Sequence, residues 1–185
     1  MAPSPRPVVL GITGRIGAGK TTVGNYLGER HGFQYIRYSQ VLADWQAERP
    51  ESREQLQKVG WDVMAGGLQP ELNRRLIARI DPAHNCAVDG LRHIVDFESL
   101  STAFSDSFFL VFIECPAELR REHVKLKGRD FTMAEFQRFD DHPVEQRIDD
   151  LKKNAYAVLS NFGSRLDLEQ QVDAVLWRLA PGGQP

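Results

Sequence analysis

The stretch Gly14-Arg15-Ile16-Gly17-Ala18-Gly19-Lys20-Thr21 limits what this chain can fold into more than any other. It follows the apolar run Val8-Val9-Leu10, opens a helical pattern from Thr22 to Arg30, and spells G-x-x-x-x-G-K-[ST]. Such a loop wraps consecutive backbone N–H groups around a polyphosphate. Its glycines let the backbone approach the phosphates closely, in conformations that a Cβ would forbid. The Lys20 ammonium then reaches the β- and γ-phosphates, and the Thr21 hydroxyl can ligate Mg²⁺. The helix starting near Lys20 points its positive dipole end at the anion. The expected cofactor site is Gly14, Arg15, Ile16, Gly17, Ala18, Gly19, Lys20, Thr21 and Thr22, with ATP and Mg²⁺ as the cofactors.

Around this unit, short apolar runs alternate with longer helical patterns. The runs are Val8–Ile12, Phe33–Tyr38, Cys86–Val88, Phe108–Ile113 and Tyr156–Leu159. That alternation predicts βαβ units, an α/β fold with a parallel sheet and helices on both faces. A length of 185 residues suits one domain, read as 1–185, with Met1–Pro7 and Pro181–Pro185 as frayed ends. Ser39 is a candidate cap for a helix through Trp45, Pro70 for the first turn of a helix to Ile80, and Pro116 for one through Lys125. Pro143 opens another behind Asp141 or His142, and Asp167–Leu179 forms the last. Gly60 and Gly66-Gly67 break the region after the second strand into short pieces, so residues 39–80 are read as an acceptor-binding flap.

Charge narrows the partners. A formal charge of −2 argues against a nucleic-acid surface spanning the domain. No run of 18 apolar residues is present, and Met1–Pro7 lacks the apolar core of a signal peptide. Cys86 and Cys115 sit in or beside strand-like runs as small buried thiols, and no disulfide is expected. The five histidines show no ligand spacing with them. The expectation is a cytoplasmic monomer or homodimer whose partners are small molecules.

A second constellation, Asp89-Gly90-Leu91-Arg92, closes the third apolar run. A carboxylate at that edge of a sheet carrying this loop faces the metal and can hold a Mg²⁺-bound water. Gly90 allows a sharp turn, and Arg92 then projects over the crevice where open α/β sheets bind ligands. Read without the loop, the same residues are an Asp-Gly turn with a solvated arginine. A third constellation runs from Arg120 to Arg147, where seven arginines and lysines are nearly balanced by acids, with a break at Gly128. Closing arginines stabilise the charge that develops during phosphoryl transfer and exclude water. Residues 120–150 are therefore a candidate lid. Arg121, sharing a helix face with Val124, and Arg129, beside the break, are its candidate catalytic arginines. Solvated helices held by i, i+4 pairs would carry the same residues. Asn161-Phe162-Gly163 is either an adenine frame or a plain strand-to-helix turn.

Together these motifs resemble the P-loop kinases of small metabolites, the nucleoside monophosphate kinase superfamily. Residues Leu10 to Thr22 look like the opening of dephospho-CoA kinases. Asp89-Gly90-Leu91-Arg92 looks like the D-G-x-P-R element of adenylate kinase relatives, without its proline. The order Tyr38-Ser39, Arg53 to Gly60, Val88 to Arg92, arginine lid is similar to archaeal dephospho-CoA-kinase-like and adenylate-kinase-like proteins. It is also similar to the kinase-like domain fused to some deoxycytidylate deaminases. The resemblance implies a three-layer sandwich of about five parallel strands ordered 2-3-1-4-5, and an acceptor phosphate held by Arg92. Dephospho-CoA kinases carry an acidic residue at the end of the second strand; Ile36-Arg37-Tyr38-Ser39 offers none, and Asp44 is the substitute within reach. A phosphate acceptor needs no strong general base, so this departure favours a nucleoside or deoxynucleoside monophosphate. In that reading Lys20 and Asp89 are catalytic, Thr21 and Asp89 organise the metal, and Ser39 and Arg92 bind the acceptor. A dephospho-CoA kinase and a nucleotide-binding sensor without turnover are the alternatives.

Overall fold

The computed structural model describes residues 7–126 and 132–180. Its elements in chain order are β1 (Val9–Thr13), α1 (Lys20–His31), β2 (Gln34–Arg37), α2 (Tyr38–Trp45), α3 (Arg53–Ala65), α4 (Gln69–Ile77), β3 (Cys86–Leu91), α5 (Ile94–Phe104), β4 (Phe108–Glu114), α6 (Ala117–Leu126), α7 (Met133–Asp140), α8 (Pro143–Gln146), β5 (Ala157–Ser160) and α9 (Arg165–Leu179). The strands form one parallel sheet in the order β2-β3-β1-β4-β5, as the resemblance implied.

β1 holds the centre because both its faces are apolar. All five of its residues are buried, as expected for a strand covered on both sides. Alternation divides them: Val9 joins one core with Ile36, Leu76, Leu100 and Leu110, while Leu10 and Ile12 join another with Leu27, Val111, Leu159 and Val172. α2, α4 and α5 cover the first face, and α1 and α9 the second. A third, smaller cluster of Ile16, Val124, Phe136 and Phe139 fastens the 14–21 loop to α6 and α7.

Three expectations need correcting. Ser39 does not cap α2; Arg37 takes that position and Ser39 lies within the first turn, because β2 runs directly into the helix. The helix behind Pro70 ends at Ile77 rather than Ile80. The third strand does not stop at Val88: Asp89 and Gly90 lie inside β3, which pairs on to Leu91. Gly90 has φ +98°, and the register moves from Ile12 opposite Asp89 to Thr13 opposite Leu91. This is a bulge, and glycine takes that φ without steric cost. The expected break at Gly128 lies outside the described residues. Among the described residues no helix is long and apolar enough to cross a membrane.

Candidate active site

Residues 14–21 leave β1 and enter α1 as a closed turn. The Lys20 ammonium donates to the carbonyls of Gly14 at 2.5 Å and Arg15 at 2.9 Å, holding the loop's first half against its second. Gly17 has φ +79°, and a Cβ there would lie 2.3 Å from the Arg120 carbonyl oxygen. The bare glycine lets α6 pack onto the loop. α1 begins behind Gly19 with no acidic residue in its first turn and no side-chain cap, so no carboxylate of its own offsets the positive end of its dipole.

That cleft, about 790 Å³, runs along the C-terminal edge of the sheet and is of a size suited to a small ligand. Ile16, Gly17, Gly19, Lys20, Thr21 and Thr22 line it from the loop and the start of α1; Ser39, Asp89 and Arg92 line it too. The structure thus gathers residues separated by 70 positions in sequence. The other members of the expected cofactor site stand back from it. Gly14 and Ala18 form the rear of the loop, and the Arg15 guanidinium turns away to Asp149 at 2.6 Å and Asp140 at 3.5 Å. The Asp149 hydrogen bond holds the Arg15 pKa above its ordinary value.

Asp89 is almost fully buried and accepts a hydrogen bond from the Tyr35 hydroxyl at 2.7 Å. In the sheet Tyr35 stands opposite Ala87 and Arg37 opposite Asp89, so the tyrosine reaches its partner along a diagonal. Burial first, and the Asp89 charge next, push the Tyr35 phenol well above its ordinary pKa, so it stays a donor. Thr21 and Asp89 are oxygen donors of the hard kind that Mg²⁺ takes, with phosphate and water completing its shell. The donor set therefore fits a nucleotide-borne Mg²⁺.

Beside Arg92, Asp96 is 1% exposed and fully engaged. It accepts the backbone N–H groups of Arg92 at 2.9 Å and His93 at 3.0 Å, and the Gln69 amide at 2.6 Å. This fixes the turn that delivers Arg92. Burial lowers the His93 pKa, which leaves its imidazole neutral at pH 7. The Arg92 guanidinium meets Glu145, itself 1% exposed. Asp44, the substitute base, does not line the cleft: it is paired with Arg79 at 2.9 Å and bonded by Gln40 at 2.7 Å.

Of the two adjacent arginines of α6, it is Arg120 that contacts the 14–21 loop. Arg121 does not line the cleft, and its Nε is buried without a partner among the described residues. Arg120 shares the buried face with Val124 and grips Asp140 through two bonds, 2.5 and 2.8 Å, while donating to the Ile16 carbonyl at 3.2 Å. The helix phase is set by an i, i+4 pair rather than i, i+3. Arg129 lies outside the described residues. Sequence reasoning passed over Arg37, Tyr35 and Glu145. Arg37 lines the cleft from the end of β2, a position that could have flagged it.

The AAA domain family model matches residues 10–140, from β1 through α7. The chain belongs to this family. Within it, the fold is that of the P-loop nucleoside monophosphate kinase-like superfamily. A dephospho-CoA kinase of Thermus thermophilus is 27% identical over 210 residues, covering 96% of this chain and 95% of its own. A UPF0200/UPF0201 protein of Archaeoglobus fulgidus is 29% identical over 133 residues, 70% of this chain; the match spans only 40% of that protein's length. A gluconokinase of Sinorhizobium meliloti superposes with a TM-score of 0.66 at 16% identity, with 94% of each chain covered, and shares the fold.

Proposed function

We propose that this chain catalyses ATP- and Mg²⁺-dependent phosphoryl transfer to a small phosphate-bearing acceptor, a nucleoside or deoxynucleoside monophosphate. The observation that carries the reading is Arg92, partly exposed on the cleft across from Lys20, with no free carboxylate at the end of β2 and Asp44 tied to Arg79. An anionic acceptor needs a cation to hold its phosphate and no strong base to ionise it.

In this scheme the loop N–H groups and the α1 terminus hold the triphosphate. Lys20 stabilises the migrating phosphoryl group, whose charge spreads over its equatorial oxygens. Thr21 and Asp89 would hold Mg²⁺, which neutralises phosphate charge when bound. Tyr35 keeps the Asp89 carboxylate oriented. Ser39 and Arg92 bind the acceptor phosphate, and Arg129 is the lid arginine proposed to reach the transferring group; Arg121, which does not line the cleft, does not take that role. Asn161, whose amide donates to the Ala18 carbonyl at 2.9 Å, braces the loop beside the proposed adenine position.

A coupled ADP-release assay with AMP, CMP, dCMP, dTMP and dephospho-CoA tests the proposal. Turnover with a monophosphate supports it. Turnover with dephospho-CoA alone replaces it with the second reading, which the Thermus relative's match across nearly both full lengths favours. Tight ATP binding with no acceptor turnover replaces it with a nucleotide sensor.

A further inference from the structure

Glu145 is the one charged residue among the largest fully buried side chains of the described residues, at 1% exposure. It lies in the short α8, far in sequence from what it touches. Its Oε2 accepts the backbone N–H of Ile16, in the phosphate loop, at 2.9 Å. Its Oε1 accepts from Nη1 of Arg92, which leaves the rest of the guanidinium without a partner among the described residues. A carboxylate that deep is costly unless both oxygens are engaged by strong donors. Here one donor belongs to the donor side of the cleft and the other to the acceptor side.

We propose that Glu145 is a positioning residue, a strut that fixes Arg92 at a set distance and orientation from the phosphate loop. This rests on the kinase reading with Arg92 as the acceptor-phosphate ligand. An arginine offers five donors in a rigid fork, so holding one edge aims the other. Phosphoryl transfer demands that alignment: donor and acceptor oxygens must lie in line, and a misplacement of about 1 Å costs on the order of a hundredfold. Without Glu145, Arg92 keeps its charge but loses its registration to the loop. The attraction for an acceptor phosphate persists while productive geometry becomes rare.

The test is a double-mutant cycle of Glu145→Gln and Arg92→Ala, with AMP, CMP and dCMP as acceptors. Glu145→Gln keeps the side-chain length and an acceptor for Ile16 N–H but removes the charge that grips Arg92. We expect kcat/KM for the acceptor to fall at least about tenfold, with KM for ATP changed less than about threefold, because contacting groups couple on that scale. In the Arg92→Ala background the same change should add less than about threefold. Equal losses in both backgrounds, or KM values for ATP and acceptor rising together, overturn the strut and make Glu145 a purely structural residue. Should Glu145→Gln fail to melt cooperatively, Glu145→Asp carries the same comparison, keeping the charge while withdrawing it by one methylene. No acceptor-dependent ADP release from the wild type overturns the kinase reading and the strut together. Wild-type turnover with an uncoupled Glu145 overturns the strut alone.

Discussion

α1 and α9 pack against one another on the same face of the sheet, yet their first turns are built on opposite plans. α9 closes itself: the Ser164 hydroxyl accepts the Asp167 N–H at 3.2 Å, and the Asp167 carboxylate accepts the Ser164 N–H at 2.7 Å. α3 and α7 use the same reciprocal device, through Ser52 with Gln55 and Thr132 with Glu135. α1 does without it, starting behind Gly19 at φ +113° with no acid in its first turn. α3, α7 and α9 close their first turns with side chains, whereas α1, like α2 and α4, leaves its terminus to the backbone. The difference supports the proposal that the α1 end takes an anion from outside, at the expense of local helix stability.

The comparison can be broken from either side. The largest effect belongs to Lys20→Ala, which should reduce turnover by about a thousandfold or more while the thermal midpoint stays close to the wild type's; undiminished phosphoryl transfer would end the proposed mechanism. Gly17→Ala should destabilise by about 1–3 kcal/mol, since it forces a Cβ against the Arg120 carbonyl at positive φ. An unchanged urea midpoint would show that α6 is not seated on the loop as described. Thr21→Asp gives α1 the first-turn acid that α9 has. It should weaken ADP binding in magnesium-free buffer at least about tenfold by charge repulsion, without lowering the melting temperature. Unaltered affinity by calorimetry would deny that this terminus holds the phosphates. Ser164→Ala should cost about 1 kcal/mol and leave nucleotide affinity alone.

Acid separates the two termini further. The Ser164 hydrogen bonds hold the Asp167 pKa below its ordinary value of 3.8. Its contribution is therefore present above pH 3.8 and fades as pH falls through the lower folded value. The gap in melting temperature between wild type and Ser164→Ala should narrow on acidification below pH 3.8. A constant gap would mean that the serine acts without its carboxylate partner.

The sheet and the phosphate loop could be read from sequence because their causes are local. Buried central strands are continuous apolar runs, and the loop's glycines, lysine and threonine stand within eight consecutive residues. The cleft's polar contacts have no such signature. Tyr35 with Asp89 and Arg92 with Glu145 are pairs 54 and 53 residues apart, joined only once the strands are in register and α8 is folded against the loop. Arg120 and Arg121 are adjacent and chemically identical; only the packing of α6 shows that the first is buried against Asp140. In the sequence, Asp140 and Glu145 are two of the acids that nearly balance the basic segment. In the fold, Asp140, Glu145 and Asp149 instead tie the phosphate loop and its flanking arginines to α7 and the segment after it.

The bulge at Gly90 has a consequence for which side of the sheet each residue serves. A strand counts in twos, so residues an odd number apart belong on opposite faces. Val88 and Leu91, three apart, nevertheless sit in the same core. The extra residue has shifted the beat by one, and Asp89 and Arg92, also three apart, meet in the same cleft. Deleting that single glycine would leave every side chain of the site in the chain and send the arginine to the wrong face.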